Sequence, residues 1–228
     1  MLGNAIHAAL YMFFGLRPEE RSPEEERLHQ CLRAVWRKHR RADTFVTRDE
    51  ERDYGEQGLK MLSSFAKHFD TAAVPLARER WASVRLPNGV ELFGKLDRID
   101  GQVHADRKGT LEVIDYKTGR FVLDGEDIGD EPAAQAYLLA AEDTYQREVT
   151  RVRFIYLAAE HEARWEPERE DVDTVTERLL EVTNRMYRDR VFEAWPGEHC
   201  SRCQFAHVCP DAGRVELADL EVEDELDF

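Results

Sequence analysis

Near residue 80 the apolar spacing of the chain changes from the period of a helix to that of a strand, and this change constrains the fold most. Before it, Leu2, Ile6, Leu10 and Phe13 fall on one helical face, which predicts a helix over 2–15. Ser22-Pro23-Glu24-Glu25-Glu26 supplies a hydroxyl cap, a first-turn proline and acids at the positive end of a helix dipole, so a second helix is expected to run to about Arg41. A third extends from about Asp49 to Phe69, with Leu59, Leu62, Phe65 and Phe69 on its stripe. Beyond the change, 81–86 and 90–99 read as strands joined at Pro87-Asn88-Gly89, where Asn and Gly accept positive φ. A third strand, 111–116, follows a polar loop; 131–146 return to helical spacing, 151–157 alternate as a strand, and 171–190 form a last helix. That order predicts an α/β fold with a mixed central sheet flanked by helices, whose sites lie at strand ends. The expected organisation is a helical N-terminal part (1–80), a core (81–195), a cysteine segment (196–213) and an acidic tail (214–228) with seven acids and one arginine from Arg214 onward.

Charge narrows the function. Lys and Arg number 32 against 47 Asp and Glu, a net −15, which excludes a polycation that holds nucleic acid by overall charge. It does not exclude a protein whose acids surround a divalent cation. No apolar run approaches the ~18 residues of a membrane span, and no basic-then-apolar leader opens the chain, so a cytoplasmic protein without a membrane partner is expected. There, four cysteines read as thiols or metal ligands rather than disulfides.

The tripeptide Asp115-Tyr116-Lys117 is the first candidate for chemistry. With six lysines and 47 acids in 228 residues, chance alone supplies about one acid-x-Lys, and a second, Asp106-Arg107-Lys108, falls in a polar loop. Asp115 and Lys117 instead end an apolar strand, alternate to one face and precede a Thr118-Gly119 turn. Such a pair either binds a cation and orients a water or forms a plain ion pair. Asp97, on the preceding strand, favours the first: two adjacent carboxylates repel unless a proton or a cation lies between them. Hard oxygen donors select Mg²⁺ or Mn²⁺. Asp100, against Gly101, reads as a turn residue. His7 lies beside the buried stripe of the first helix, where a lone histidine is usually structural. Gln135 and Tyr137 open the fourth helix, placed either to reach a phosphate or to pack.

Taken in order, Gly3-x-x-x-His7, Gly94-Lys95-Leu96-Asp97-Arg98-Ile99-Asp100, Val113-Ile114-Asp115-Tyr116-Lys117-Thr118-Gly119 and Gln135 resemble the RecB-like branch of the PD-(D/E)xK nuclease superfamily, over roughly residues 1–210. The resemblance implies that His7, Asp97 and Asp115 hold the catalytic metal, that Lys117 positions or activates the attacking water, and that Gln135 helps hold the site. The family's tyrosine commonly follows the glutamine by four residues; here that position is Leu139 and the tyrosine is Tyr137. The implied activity is Mg²⁺- or Mn²⁺-dependent hydrolysis of DNA without sequence specificity, as an exonuclease of repair or recombination. The alternatives are a CRISPR-adaptation nuclease trimming spacer precursors and a non-catalytic nucleic-acid-binding or structural partner. A helicase or a CRISPR-adaptation complex is the implied companion.

Cys200-x-x-Cys203 and Cys209 place three of the four cysteines within ten residues, a spacing that points to a metal. Four thiolates suit [4Fe–4S] or zinc. The ending resembles the iron–sulfur nucleases of the same branch, in which one upstream cysteine joins three C-terminal ones. That family cysteine precedes the motif histidine, whereas Cys31 follows His7, so the expectation is either that Cys31 has taken over as the fourth ligand or that the fourth is lost with a shortened N-terminus. His199 and His207 offer zinc as the alternative. Finally, Arg33, Arg37, Lys38, Arg40 and Arg41 form a basic stretch without acids, and Arg185, Arg188 and Arg190 form another basic stretch. Arg37, Lys38 and Arg40 are the candidate nucleic-acid contacts, with a solvated helix face as the other reading.

Overall fold

The computed structural model describes residues 2–39, 45, 47–102, 109–119, 121–123 and 127–212. Three helices come first: α1 (Leu2–Phe13), α2 (Glu24–His39) and α3 (Arg48–His68). Thr47 caps α3, its hydroxyl accepting from Glu50 N at 3.1 Å, and Asp49, Glu50 and Glu51 fill the first turn. Their stripes close on one another as Ile6, Leu10 and Phe13 meet Leu28, Leu32, Leu62 and Phe65, all buried.

The strands β1 (Ala77–Arg85), β2 (Glu91–Gln102) and β3 (Thr110–Lys117) follow; then come α4 (Pro132–Tyr145), β4 (Val149–Tyr156), β5 (His161–Trp165) and α5 (Asp171–Arg188). They form one five-stranded sheet in the order β1-β2-β3-β4-β5, antiparallel except for β3 beside β4. A parallel pair needs a crossover, and α4 supplies it. Gly89 at φ 83° makes the β1–β2 turn. The sheet is mixed and covered on both faces, as the sequence predicts. Leu111 and Val113 of β3 join Leu138 of α4 and Leu179 of α5 in one core, while Ile114 and Tyr116 join the α1–α3 core. β4 divides likewise, with Val152 and Phe154 on one side and Ile155 on the other.

Three details differ from the sequence expectation. β5 is an edge strand with only Ala163 buried, so it carries almost no apolar alternation to read. β1 begins at Ala77, four residues ahead of the expected start. Asp100 is not a turn residue: β2 runs through it to Gln102, and Arg98, a buried strand neighbour, donates to its carboxylate at 2.9 Å.

The hairpin also changes phase. Ala82, Leu92 and Leu96 face the α4 core, and so do Ala77 and Ile99, although the residue parity has switched. The switch falls at Glu79 and Asp97, which are flanked by the pairs Arg78–Arg98 and Arg80–Leu96, and Glu79 holds φ at 46°. By contacts the chain divides into one unit over 1–184 and a second over 185–228. The second carries the 3₁₀ turn Glu198–Arg202 and the three clustered cysteines.

Candidate active site

The site lies at the end of β3. The β2–β3 ladder pairs Arg98 with Ile114, and one further step brings Asp97 beside Asp115; an Asp97 oxygen accepts from Tyr116 N at 2.8 Å. Both carboxylates are buried, at 7% and 6% exposure. Burial, then the charge of Asp97, raise the pKa of Asp115, against Lys117 and Tyr137, which pull it down. Tyr137, projecting from α4, donates its hydroxyl to Asp115 Oδ1 at 3.0 Å, and burial together with that carboxylate raises its own pKa. The other oxygen, Oδ2, is buried and takes no aligned hydrogen bond; Lys117 Nζ stands 2.8 Å from it as an ion pair. The same ammonium lies 4.4 Å from the centre of the Phe154 ring.

His7 reaches this point from the opposite layer. Its Nδ1 donates to Asp97 Oδ1 at 3.0 Å, since a carboxylate only accepts. Burial alone would lower the imidazole pKa, but the hydrogen bond and charge of Asp97, with Asp115 and Glu79, raise it. Gly3, one turn earlier, allows the approach: a Cβ there would sit 3.0 Å from Thr118 Oγ1, in the turn just after Lys117.

Glu79 completes the group, and no motif or spacing in the sequence singles it out. Its Oε1 is 3.7 Å from His7 Nδ1, and its other oxygen is ion-paired with Lys95. A non-glycine residue at φ 46° is strained by about 1–3 kcal/mol and persists only where its surroundings hold it. Among the described residues, His7, Glu79 and Asp97 are the one group of three or more histidine, cysteine or acidic side chains whose ligand atoms all lie within 4.8 Å of one another. A phase break in a strand, with a charged residue at positive φ, is the signal that marks Glu79, and it exists only in three dimensions.

The residues therefore fit a divalent cation. The carboxylates of Glu79 and Asp97 and a neutral imidazole are the hard-to-borderline donors that Mg²⁺ and Mn²⁺ accept, and Asp115, buried beside Asp97 and ion-paired with Lys117, lies next to them.

Other expected residues lie elsewhere. Gln135 is buried, and its amide donates to Gly129 O at 2.8 Å, tying α4 to the preceding 3₁₀ turn Asp127–Asp130. Arg37 and Lys38 are exposed on α2. Arg40, Arg41 and the Asp106–Lys108 pair lie outside the described residues, as does the tail from 214. Cys31 is buried in the α1–α3 core, and burial pushes its thiol pKa up. In the second unit Cys200 Sγ accepts from Gly197 N at 3.5 Å and Cys203 Sγ from Phe205 N at 3.4 Å; Cys209 is half-buried.

No curated protein matches the chain. Among solved structures, the crystal structure of SSO0001 is similar over 90% of this chain and 84% of its own, at 17% identity and a TM-score of 0.36. A family model described as the PD-(D/E)XK nuclease superfamily matches residues 1–210 and takes in α1, the whole sheet and the Asp115–Lys117 strand end. With its Asp-x-Lys pair at a strand end and His7 folded onto Asp97, the chain belongs to the PD-(D/E)XK nuclease superfamily.

Proposed function

We propose that the chain is a Mg²⁺- or Mn²⁺-dependent deoxyribonuclease that hydrolyses DNA without sequence specificity, acting as an exonuclease in repair or recombination. The observation that carries this reading is the group His7, Glu79 and Asp97 with Asp115 buried beside it, one Asp115 oxygen held by Tyr137 and the other ion-paired with Lys117: adjacent buried carboxylates of this kind call for a cation or a proton between them. A cation held by His7, Glu79, Asp97 and Asp115 supplies Lewis acidity to a phosphate and lowers the pKa of a water. The protein's own groups do the rest. Tyr137 fixes the rotamer of Asp115. Lys117, half-exposed above Phe154, places a point charge where an attacking water and the developing phosphate charge need one. His7 ties α1 to Asp97 and gives up its Nδ1 proton when it binds metal.

The DNA preference and the repair role rest on the resemblance; no residue of the site reads a base edge. The same resemblance, with backbone N–H groups donating to Cys200 and Cys203, supports a structural iron–sulfur centre on Cys200, Cys203 and Cys209. Cys31 is buried in the helical core, and Cys31→Ser, with loss of the centre expected if it is the fourth ligand, tests that assignment. The test of function is cleavage of labelled DNA by purified protein with Mn²⁺, Mg²⁺ or EDTA. Cleavage that survives EDTA, or that Lys117→Ala leaves at the wild-type rate, overturns the reading. Anaerobic purification tests the cysteine centre, with visible absorption expected and a colourless zinc protein as the opposing result.

A further inference from the structure

Trp81 and Phe93 stand in water on the β1–β2 hairpin, 63% and 72% exposed, with ring centroids 5.9 Å apart. Trp81 lies opposite Lys95 and Phe93 opposite Ser83, so strand alternation puts both rings on the face of Lys95. Lys95 is ion-paired with Glu79, which belongs to the group formed with His7 and Asp97. The rings thus begin one cross-strand step from the candidate metal ligands; from Glu79 to Trp81 is two residues, about 7 Å of strand.

We propose that Trp81 and Phe93 are a stacking platform for unpaired bases of a single-stranded nucleic acid whose scissile phosphate lies at the acidic site. The inference rests on the nuclease reading above and adds the strandedness of the substrate. An aromatic pair across a hairpin steadies it by excluding water, and these rings leave most of their area wet. Their faces suit a base that has left its neighbours; in a duplex both faces of each base are already stacked. Stacking accepts every base, in keeping with a site that carries no base-reading group. Lys95 sets an ammonium between the rings and the carboxylates, which gives the connecting backbone a cation to follow past several acids.

The test is equilibrium binding in EDTA, where no cleavage occurs. Anisotropy is read for the full chain with a labelled oligothymidylate and with an abasic strand of equal length. Stacking on either ring predicts that wild type prefers the base-bearing strand by about fivefold or more. Trp81→Leu and Phe93→Leu keep apolar bulk on the hairpin and should each reduce that preference; the double variant should remove it and Trp81→Phe should restore most of it. An unchanged preference in the double leucine variant overturns the platform. So does a change of oligomeric state with unchanged strand binding, which would assign the rings to a protein contact. The two readings separate cleanly. Base-dependent binding without metal-dependent cleavage sinks the nuclease and leaves the platform, while cleavage without base-dependent binding does the reverse.

Discussion

The Tyr137 hydroxyl donates to Asp115 Oδ1 at 3.0 Å, so a residue of the crossover helix sets the orientation of a carboxylate at the end of β3 and leaves its other oxygen toward Lys117. Tyr137→Phe removes that donor without changing the packing of the ring against Phe154. Loss of a supporting hydrogen bond typically costs 10–100-fold in metal affinity or activity. We expect a loss of that size in Mn²⁺-dependent cleavage, partly recovered at saturating metal. An effect confined to thermal stability would show that the hydroxyl only fills space.

Proton linkage gives a second expectation. Folded His7 and Asp115 both bind protons more tightly than in the unfolded chain. Without metal, their contribution to stability is complete below the unfolded values, about 6.5 and 3.9, and is lost as pH rises through the raised folded ones. A divalent cation replaces those protons. The rise in melting temperature on adding Mn²⁺ should therefore be larger at pH 8 than at pH 6. Asp115→Asn should raise the metal-free melting temperature at pH 8, by about 2–4 °C for each kcal/mol of repulsion relieved, while abolishing cleavage. Equal metal-induced shifts at both pH values would contradict this linkage.

Glu79 offers a sharper separation, because its backbone and its carboxylate pull in opposite directions. Glu79→Gly accepts φ 46° freely and should stabilise the metal-free fold, while losing metal affinity. Glu79→Gln keeps the strain and loses only the charge. Calorimetric Mn²⁺ titration of the two variants should give similarly weakened binding with different melting temperatures. Wild-type affinity in both would remove Glu79 from the ligand set.

Gly3 tests how α1 is set. A Cβ at 3.0 Å from Thr118 Oγ1 demands a shift of a few tenths of an ångström, and a branched side chain demands more. Gly3→Ala should lower activity modestly and Gly3→Val severely, with the loss appearing in metal affinity, since α1 carries His7. Gly3→Val paired with Thr118→Gly should recover part of it. Failure of the pair to recover anything would place the clash elsewhere.

The basic face of α2 carries the last expectation. Arg37→Glu and Lys38→Glu together should weaken binding to all single strands alike and flatten the dependence of log K on log salt by about 0.7 for each phosphate that is no longer neutralised. Unchanged affinity would mark this face as merely solvated.

The helices and the mixed sheet were legible because their apolar periods are long and unbroken, as at Leu2, Ile6 and Leu10 or Val113 and Ile114. Asp97, Asp115 and Lys117 stood out because polar residues interrupt strands that otherwise read as buried. Glu79 did not: it sits among Arg78, Arg80 and Trp81, a segment that reads as an exposed edge, and its place depends on a backbone kink. Asp100 misled through its neighbour Gly101, since the ladder with β3 that carries the strand through both residues is a long-range pairing that a local turn signal does not reveal. Gln135 matched the resemblance by residue type, yet its amide is engaged with a local carbonyl, and Tyr137, off the usual spacing, touches Asp115.

The parts of the acidic site are far apart along the chain: the imidazole comes from residue 7, the hydroxyl from residue 137, and β3 is flanked in the sheet by a strand ending at Tyr156. The order of synthesis therefore separates the motif from the groups that support it. A nascent chain that has released α1 through β3 holds every carboxylate of the site but neither the tyrosine nor the parallel neighbour that keeps β3 in place. A chain ending before β4 thus carries the Asp-x-Lys motif without the strand that lies parallel to it.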